Sequence, residues 1–205
     1  GNDVVIQNGS GTQSYDGGAG VDTYKIDFNE FPNFDGKVRV DFTSNFSGLA
    51  DDLEHELNDT IVNFENIDLG SSTLDHELVG DDGSNVITAG SGDDTIYGGS
   101  GYDKIDSGSG NDIINAGVGG DKITGGLGDD TIDGGALESG FWNSAVYSDA
   151  PSSVYVNLET GIASGGHGDD TLTNIIGVYD SEFDDEVIGN DMTNWFPLEN
   201  GNDIV

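Results

Sequence analysis

The chain has 205 residues, of which 40 are acidic and 5 basic, for a net charge of −35. With no basic patch to meet phosphates, nucleic-acid binding is excluded and an anionic membrane surface is disfavoured. Cysteine is absent, so no disulfide framework forms, and no stretch is apolar enough to span a membrane as a helix.

From the N-terminus, Asn8 to Asp16 and Gly17-Gly18-Ala19-Gly20-Val21-Asp22-Thr23-Tyr24 each read as a glycine turn followed by a short strand. Gln13 stands in the first where Asp22 stands in the second. The pattern then lapses. Val38, Val40 and Phe42 alternate as a half-buried strand, Leu49 to Leu57 reads as a short helix, and Glu56 to Ile61 keeps only a strand end. Six nine-residue units run without a break from Gly80 to Asp133: GDDGSNVIT, AGSGDDTIY, GGSGYDKID, SGSGNDIIN, AGVGGDKIT and GGLGDDTID. A second lapse carries the alternation Val154, Val156, Leu158, after which Gly165 to Thr173 is a full unit. Asp184 to Ile188 keeps a strand end, and Gly189 to Pro197 holds the frame with Asn194 at position six. The predicted organisation is degenerate repeats over 1–27, an excursion over 28–79, a regular run over 80–136, a second excursion over 137–164 and degenerate repeats over 165–205. The two excursions look like copies: Val38 to Thr43 corresponds to Val154 to Glu159, and Asn58 to Phe64 to Asp169 to Ile175. Both chain ends sit at the same phase of the repeat, which predicts a segment of a longer protein.

Within the central run, position four is always glycine and position eight always isoleucine (Ile87, Ile96, Ile105, Ile114, Ile123, Ile132). Position six is Asn85, then Asp94, Asp103, Asp112, Asp121 and Asp130. Glycine permits positive φ, so the first six residues turn the chain. The last three form a strand whose position eight faces one side, while positions seven and nine (Thr95, Tyr97, Lys104, Asp106, Lys122, Thr124) face the other. Two units close one coil, which sets Asn85 beside Asp103, Asp94 beside Asp112, Asp103 beside Asp121, and Asp112 beside Asp130. Adjacent carboxylates repel unless a hard cation lies between them. Ca²⁺ takes six to eight oxygens in flexible geometry, whereas Mg²⁺ demands a strict octahedron. A fixed nonapeptide of glycine, aspartate and one aliphatic is the signature of a calcium-loaded parallel β-roll. One isoleucine per nine residues is a thin core, too little to offset chain ordering unless metal binding supplies the difference.

These units resemble the calcium-binding nonapeptide repeats of RTX proteins, which bacteria secrete by a type I system. The resemblance covers residues 80–133 strongly and the flanks in patches. It implies an all-β chain, a right-handed parallel β-roll with irregular strand and loop insertions. In the family, calcium is held by the position-six aspartate and by main-chain carbonyls of positions one and three. Carried over, the ligands are Asp94, Asp103, Asp112, Asp121 and Asp130, with Asn85 as a weaker variant. The carbonyl donors are Gly98, Ser100, Ser107, Ser109, Ala116, Val118, Gly125 and Leu127. The degenerate units add Asp22 and Asp170. The function implied is calcium-dependent folding of a secreted or cell-surface protein, acting as a structural or adhesive module. The alternatives are an accessory module of a secreted enzyme or toxin (protease, lipase or polysaccharide epimerase) and a glycan-binding surface.

Aromatics concentrate in the two lapses: Phe28, Phe31, Phe34, Phe42, Phe46 and Phe64 in the first, and Phe141, Trp142, Tyr147, Tyr155, Tyr179, Phe183, Trp195 and Phe196 in and after the second. They read as local core, with Trp142 or Trp195 as the candidates for a sugar platform. An ice-binding face would need identical outward residues in a row, and positions three and five vary too much. His55-Glu56-Leu57 and His76-Glu77-Leu78 open like a zinc-protease helix, but Asp59 and Gly80 stand where the second histidine is required. His167 falls at position three of its unit and reads as an exposed loop residue. With no nucleophile elbow or phosphate loop either, the chain reads as a non-enzyme.

Overall fold

The structure is a computed structural model and describes residues 1–7, 14–26, 37–41, 46–50, 58–62, 65–70, 72–137 and 140–205. Among these residues there is no helix, and therefore none long and apolar enough to cross a membrane. The strands, numbered in chain order, form two sheets. One sheet holds β1 (Val4–Gln7), β3 (Thr23–Ile26), β7 (Asn66–Asp68), β9 (Val86–Ser91), β11 (Lys104–Ser109), β13 (Lys122–Leu127), β16 (Ser144–Val146) and β20 (Gly177–Tyr179). The other holds β2 (Ser14–Asp16), β4 (Lys37–Asp41), β5 (Phe46–Ala50), β6 (Asn58–Val62), β8 (His76–Val79), β10 (Thr95–Gly101), β12 (Ile113–Gly119) and β14 (Thr131–Asp133). It continues with β15 (Ala136–Leu137), β17 (Val154–Asn157), β18 (Ile162–Gly165), β19 (Gly168–Thr173) and β21 (Glu186–Ile188).

Consecutive strands of the central run alternate between the sheets, and each pairs in parallel with the strand two units away. Ile87, Ile105 and Ile123 stand in line in one sheet, and Ile96, Ile114 and Ile132 in the other. All six are at most 1% exposed and join a single core cluster. The outward flanks behave as their period requires, with Lys104, Lys122 and Tyr97 exposed. This is a parallel β-roll, with one coil per two units. The tight turns depend on glycine: Gly99 and Gly101 have φ of 112° and 117°, and a side chain at either would run into Asp81 or Gly83 of the preceding coil. The first unit carries Asp81 at position two and turns differently. Its loop is closed by the Asp81 carboxylate accepting Gly83 N–H (2.7 Å) and the Asn85 amide oxygen accepting Asp81 N–H (2.9 Å).

Each excursion inserts an antiparallel pair into one sheet only. β4, β5 and β6 zigzag, with β6 pairing back to β2 and β4 pairing forward to β8. β17, β18 and β19 repeat the plan, with β19 pairing back to β14 and β17 forward to β21. The duplication seen in sequence is therefore a duplicated topology, and the facing sheet continues past both insertions through β3–β7 and β16–β20. The expected helix over Leu49 to Leu57 does not form at its start. Leu49 and Ala50 lie in β5, where ladder pairing with β4 overrides weak helical pattern, and 51–57 lie outside the described residues. Gln13, the His55-Glu56 pair, Phe28, Phe31, Phe34, Phe42 and Phe64 also lie outside them. Of the later aromatics only Tyr147 is fully core, whereas Trp142, Phe183 and Trp195 are exposed.

Candidate metal centre

The position-six residues line the two edges where turn gives way to strand. Asn85, Asp94, Asp103, Asp112, Asp121 and Asp130 are all at most 2% exposed. One oxygen of each carboxylate is used by the coil before it. Asp103 Oδ1 accepts Asn85 N–H (2.8 Å), Asp112 Oδ1 accepts Asp94 N–H (2.8 Å), Asp121 Oδ1 accepts Asp103 N–H (2.9 Å) and Asp130 Oδ1 accepts Asp112 N–H (2.9 Å). These bonds fix each carboxylate and leave its second oxygen buried. Oδ2 of Asp94, Asp103, Asp112, Asp121 and Asp130 has no hydrogen-bond partner. Five orphaned carboxylate oxygens in one run are costly in the absence of a cation.

Backbone oxygens converge on the same places. A methyl group on Gly98 would sit 2.6 Å from Asp103 Oδ2 and nearer still to the Ala116 carbonyl oxygen of the next coil. The Asp130 carboxylate folds back over Gly125 of its own turn in the same way. Of the other carbonyls singled out in sequence, those of Ser109 and Leu127 each accept an N–H from the preceding coil, at Gly92 and Gly110 (both 2.8 Å). The Gly125 carbonyl accepts the Ser107 hydroxyl (2.6 Å). Ser100 and Val118 stand opposite each other in the β10–β12 register. Each of these carbonyls keeps a second lone pair. A site of hard, buried oxygens with net negative charge fits calcium and fits no soft metal.

Burial pushes the Asp103 and Asp130 carboxyls up to about 7, and those of Asp112 and Asp121 to about 6. The backbone N–H donated to each opposes the rise. Neighbouring carboxylates add to it, Asp121 and Asp81 for Asp103, and Asp170 and Asp112 for Asp130. Without a cation, the folded ladder resists ionisation near neutral pH.

One ladder ends in Asn85 and Asn143, the other in His76 and Asp170. Asn85 donates its amide to the Glu65 carbonyl (3.0 Å), and His76, buried, places Nδ1 2.8 Å from Asp94 Oδ1. At the far ends, Asn143 accepts Asp121 N–H (2.9 Å) and donates to the Gly134 carbonyl (2.5 Å). Asp170 accepts Asp130 N–H (3.0 Å) and, unlike the central carboxylates, receives the Tyr147 hydroxyl on Oδ2 (2.9 Å). Asp22 repeats the central arrangement, with Oδ1 on Asp3 N–H (2.6 Å) and Oδ2 unpartnered. His167 is a correction: it is 5% exposed, packed against Tyr147 with ring centroids 5.8 Å apart, because the β18–β19 turn folds it inward.

Asn143 and Tyr147 escape sequence reading. Asn143-Ser144-Ala145 does keep the position-six-to-eight order, but Phe141 stands where the unit needs glycine. A third feature, the carboxylates of Asp180, Asp185 and Asp203, lies in repeats too degenerate to stand out.

The family model described as the RTX calcium-binding nonapeptide repeat (4 copies) matches residues 77–105 and 106–136. No curated protein matches the chain. RTX repeats are structural modules that bind calcium. The matched segment coincides with the parallel coils and their buried carboxylate ladders, and residues 77–136 are similar to RTX calcium-binding nonapeptide repeats.

Proposed function

We propose that this chain is a calcium-folded, stiff structural or adhesive segment of a protein secreted by a type I system and displayed outside the bacterial cell. The observation that carries it is the row of orphaned Oδ2 atoms on Asp94, Asp103, Asp112, Asp121 and Asp130. In this reading those five aspartates hold the ions with the carbonyls of Gly98, Ser100, Ser107, Ser109, Ala116, Val118, Gly125 and Leu127. Asp22 adds an outlying ligand, Asn85 gives a weaker one, and Asp170 shares its carboxylate with Tyr147. The regular roll over 80–136 carries most of the metal, with excursions over 28–79 and 137–164 and degenerate repeats over 1–27 and 165–205. Export would proceed unfolded at low cytosolic calcium, and folding would follow outside. The accessory-module alternative differs only in what the roll is joined to. Calcium affinity tests the placement. Half-saturation by equilibrium dialysis is expected at about 10⁻⁴–10⁻³ M, the range of extracellular modules. Submicromolar binding, which would fill the sites before export, overturns it.

A second reading, a platform for a neutral glycan, is favoured by a particular cluster. Trp142 and Trp195 stack with centroids 6.2 Å apart and planes at 19°. Tyr179 meets Trp195 edge-on at 5.1 Å, and the Lys122 ammonium lies 3.9 Å over the Tyr179 ring. They border a groove of about 240 Å³, and both tryptophans are at least 40% exposed. Broad exposed aromatic faces suit the apolar face of a pyranose, and a net charge of −35 disfavours acidic polymers. On a glycan array the calcium-loaded chain is expected to capture neutral sugars, and the double variant Trp142→Ala/Trp195→Ala to lose at least tenfold in signal with its circular dichroism unchanged. Equal capture by the variant would exclude this platform.

A further inference from the structure

The aromatic platform continues beyond its first groove. A second groove, of about 410 Å³, is lined by Leu137, Ile176, Met192 and Thr193. Gly140, Phe141 and Trp142 line both grooves, so the two are contiguous. The cleft they make runs along the roll. Tyr102 lies in the turn before β11, Trp142 before β16 and Ile176 before β20, while Met192 and Thr193 precede the Gly177–Trp195 bridge, which adds one more rung. With β13 between β11 and β16, the cleft crosses five neighbouring rungs of one sheet, roughly 20 Å at about 4.8 Å per strand.

One departure from the repeat lets the rings close up. Gly120 stands at position five, where the adjacent units carry Asn111 and Asp129. A methyl group on Gly120 would come within 3.0 Å of the Tyr102 ring and 3.1 Å of Phe141 Cβ. Without it, Tyr102 and Phe141 meet edge-on over that coil, with centroids 5.0 Å apart. The two tryptophans are held by their backbones. Trp142 precedes Asn143, which is fully buried and bonded to Asp121 N–H and the Gly134 carbonyl. Trp195 N–H is donated to the Ile176 carbonyl (3.0 Å), and the Trp195 carbonyl accepts Val178 N–H (3.1 Å). A preformed surface of this kind binds without a large ordering cost.

The lining also selects its occupant. Among the described residues that line the cleft, only Asp121 and Lys122 are charged. Asp121 is buried, and the Lys122 ammonium is engaged by the Tyr179 ring. The rest are rings, glycines, aliphatic side chains and the hydroxyls of Ser144, Tyr179 and Thr193. An extended peptide has no ladder to join here: β11, β13 and β16 are each paired on both sides, and the Trp195 backbone covers the start of β20.

We infer that this cleft binds the interior of a linear, uncharged polysaccharide laid along the roll axis, stacked on Tyr102, Trp142 and Trp195 and reaching Met192. The inference rests on the neutral-glycan reading above and deepens it, because the surface then reads chain length and not a single terminal sugar. One sugar ring fills one groove. A chain reaching from Tyr102 to Met192 engages both, and the second contact forms at the high effective concentration set by the first.

The test is capture of the calcium-loaded full chain on an array printed with neutral glucans, mannans, xylans and galactans, each linkage as a disaccharide and as a hexasaccharide. At least one hexasaccharide is expected to be captured, with its disaccharide weaker by about tenfold or more. The double variant Met192→Ala/Thr193→Ala, at two exposed positions of the second groove, is expected to lose about fivefold or more on that hexasaccharide and nothing on the disaccharide, with its circular dichroism unchanged. Equal capture of the two lengths, or a double variant that matches the wild type on the hexasaccharide, would overturn the extended cleft and leave the tryptophan platform standing. A wild type that captures no sugar of either length would overturn both.

Discussion

With calcium removed, the fold is expected to be most stable near pH 4 and to lose that stability progressively as the pH rises from about 4 to about 7. The sign follows from the four central carboxyls. Folding raises Asp103 and Asp130 to about 7 and Asp112 and Asp121 to about 6, from an ordinary value of 3.8. A raised acid contributes its stability in full below the unfolded value and loses it as pH climbs through the folded one. At about 1.4 kcal/mol per unit, the four together cost the metal-free fold on the order of 10 kcal/mol between pH 5 and pH 8. A typical domain has about 5–15 kcal/mol in hand, so the metal-free chain at pH 8 should be unfolded, and at pH 5 it should regain β-structure. Calcium reverses the dependence, because protons compete for the same oxygens and acid then releases the ion. Urea denaturation of calcium-stripped chain between pH 5 and 8 reads this directly. Stability that is flat or rises with pH would mean that these carboxyls are not held as described.

Replacing Asp112 by alanine is expected to disable two calcium sites, not one. Its Oδ1 caps Asp94 N–H and its own N–H is capped by Asp130 Oδ1, so it stands between two carboxylates of one ladder. With calcium at ten times the half-saturation point, two vacated sites remove about 3 kcal/mol of binding-linked stability. The lost bond to Asp94 N–H adds about 1 kcal/mol. Calcium stoichiometry by titration calorimetry should fall by two, with a higher urea sensitivity. A fall of one would show that ions are not shared between units two apart. Asp93, next to Asp94 but exposed in the turn, is the control position.

The central roll is legible because each coil repeats its instructions. Six isoleucines at one spacing and glycines at positions two and four leave one arrangement that buries the first and accommodates the second. The paired excursions were visible as repeated alternation, Val38 to Phe42 and Val154 to Leu158. Their pairing was not, because it is encoded nowhere locally: Ile132 meets Leu172 across forty residues of chain, and β18 exists only as the bridge between β17 and β19. His167 reads as a loop residue until that hairpin turns it onto Tyr147. The ladder ends are hidden for a related reason. Asn143 and the Tyr147 hydroxyl close the ladders from outside the repeat frame.

The central claim is that calcium on the buried carboxylate ladders holds this roll together. Far-UV circular dichroism of the chain at pH 7.5 during a calcium titration, with magnesium in parallel, tests it most directly. A cooperative rise of β-signal with calcium, and none with magnesium, is the predicted result. A chain that already shows full β-signal without calcium, and does not respond to it, would contradict the account.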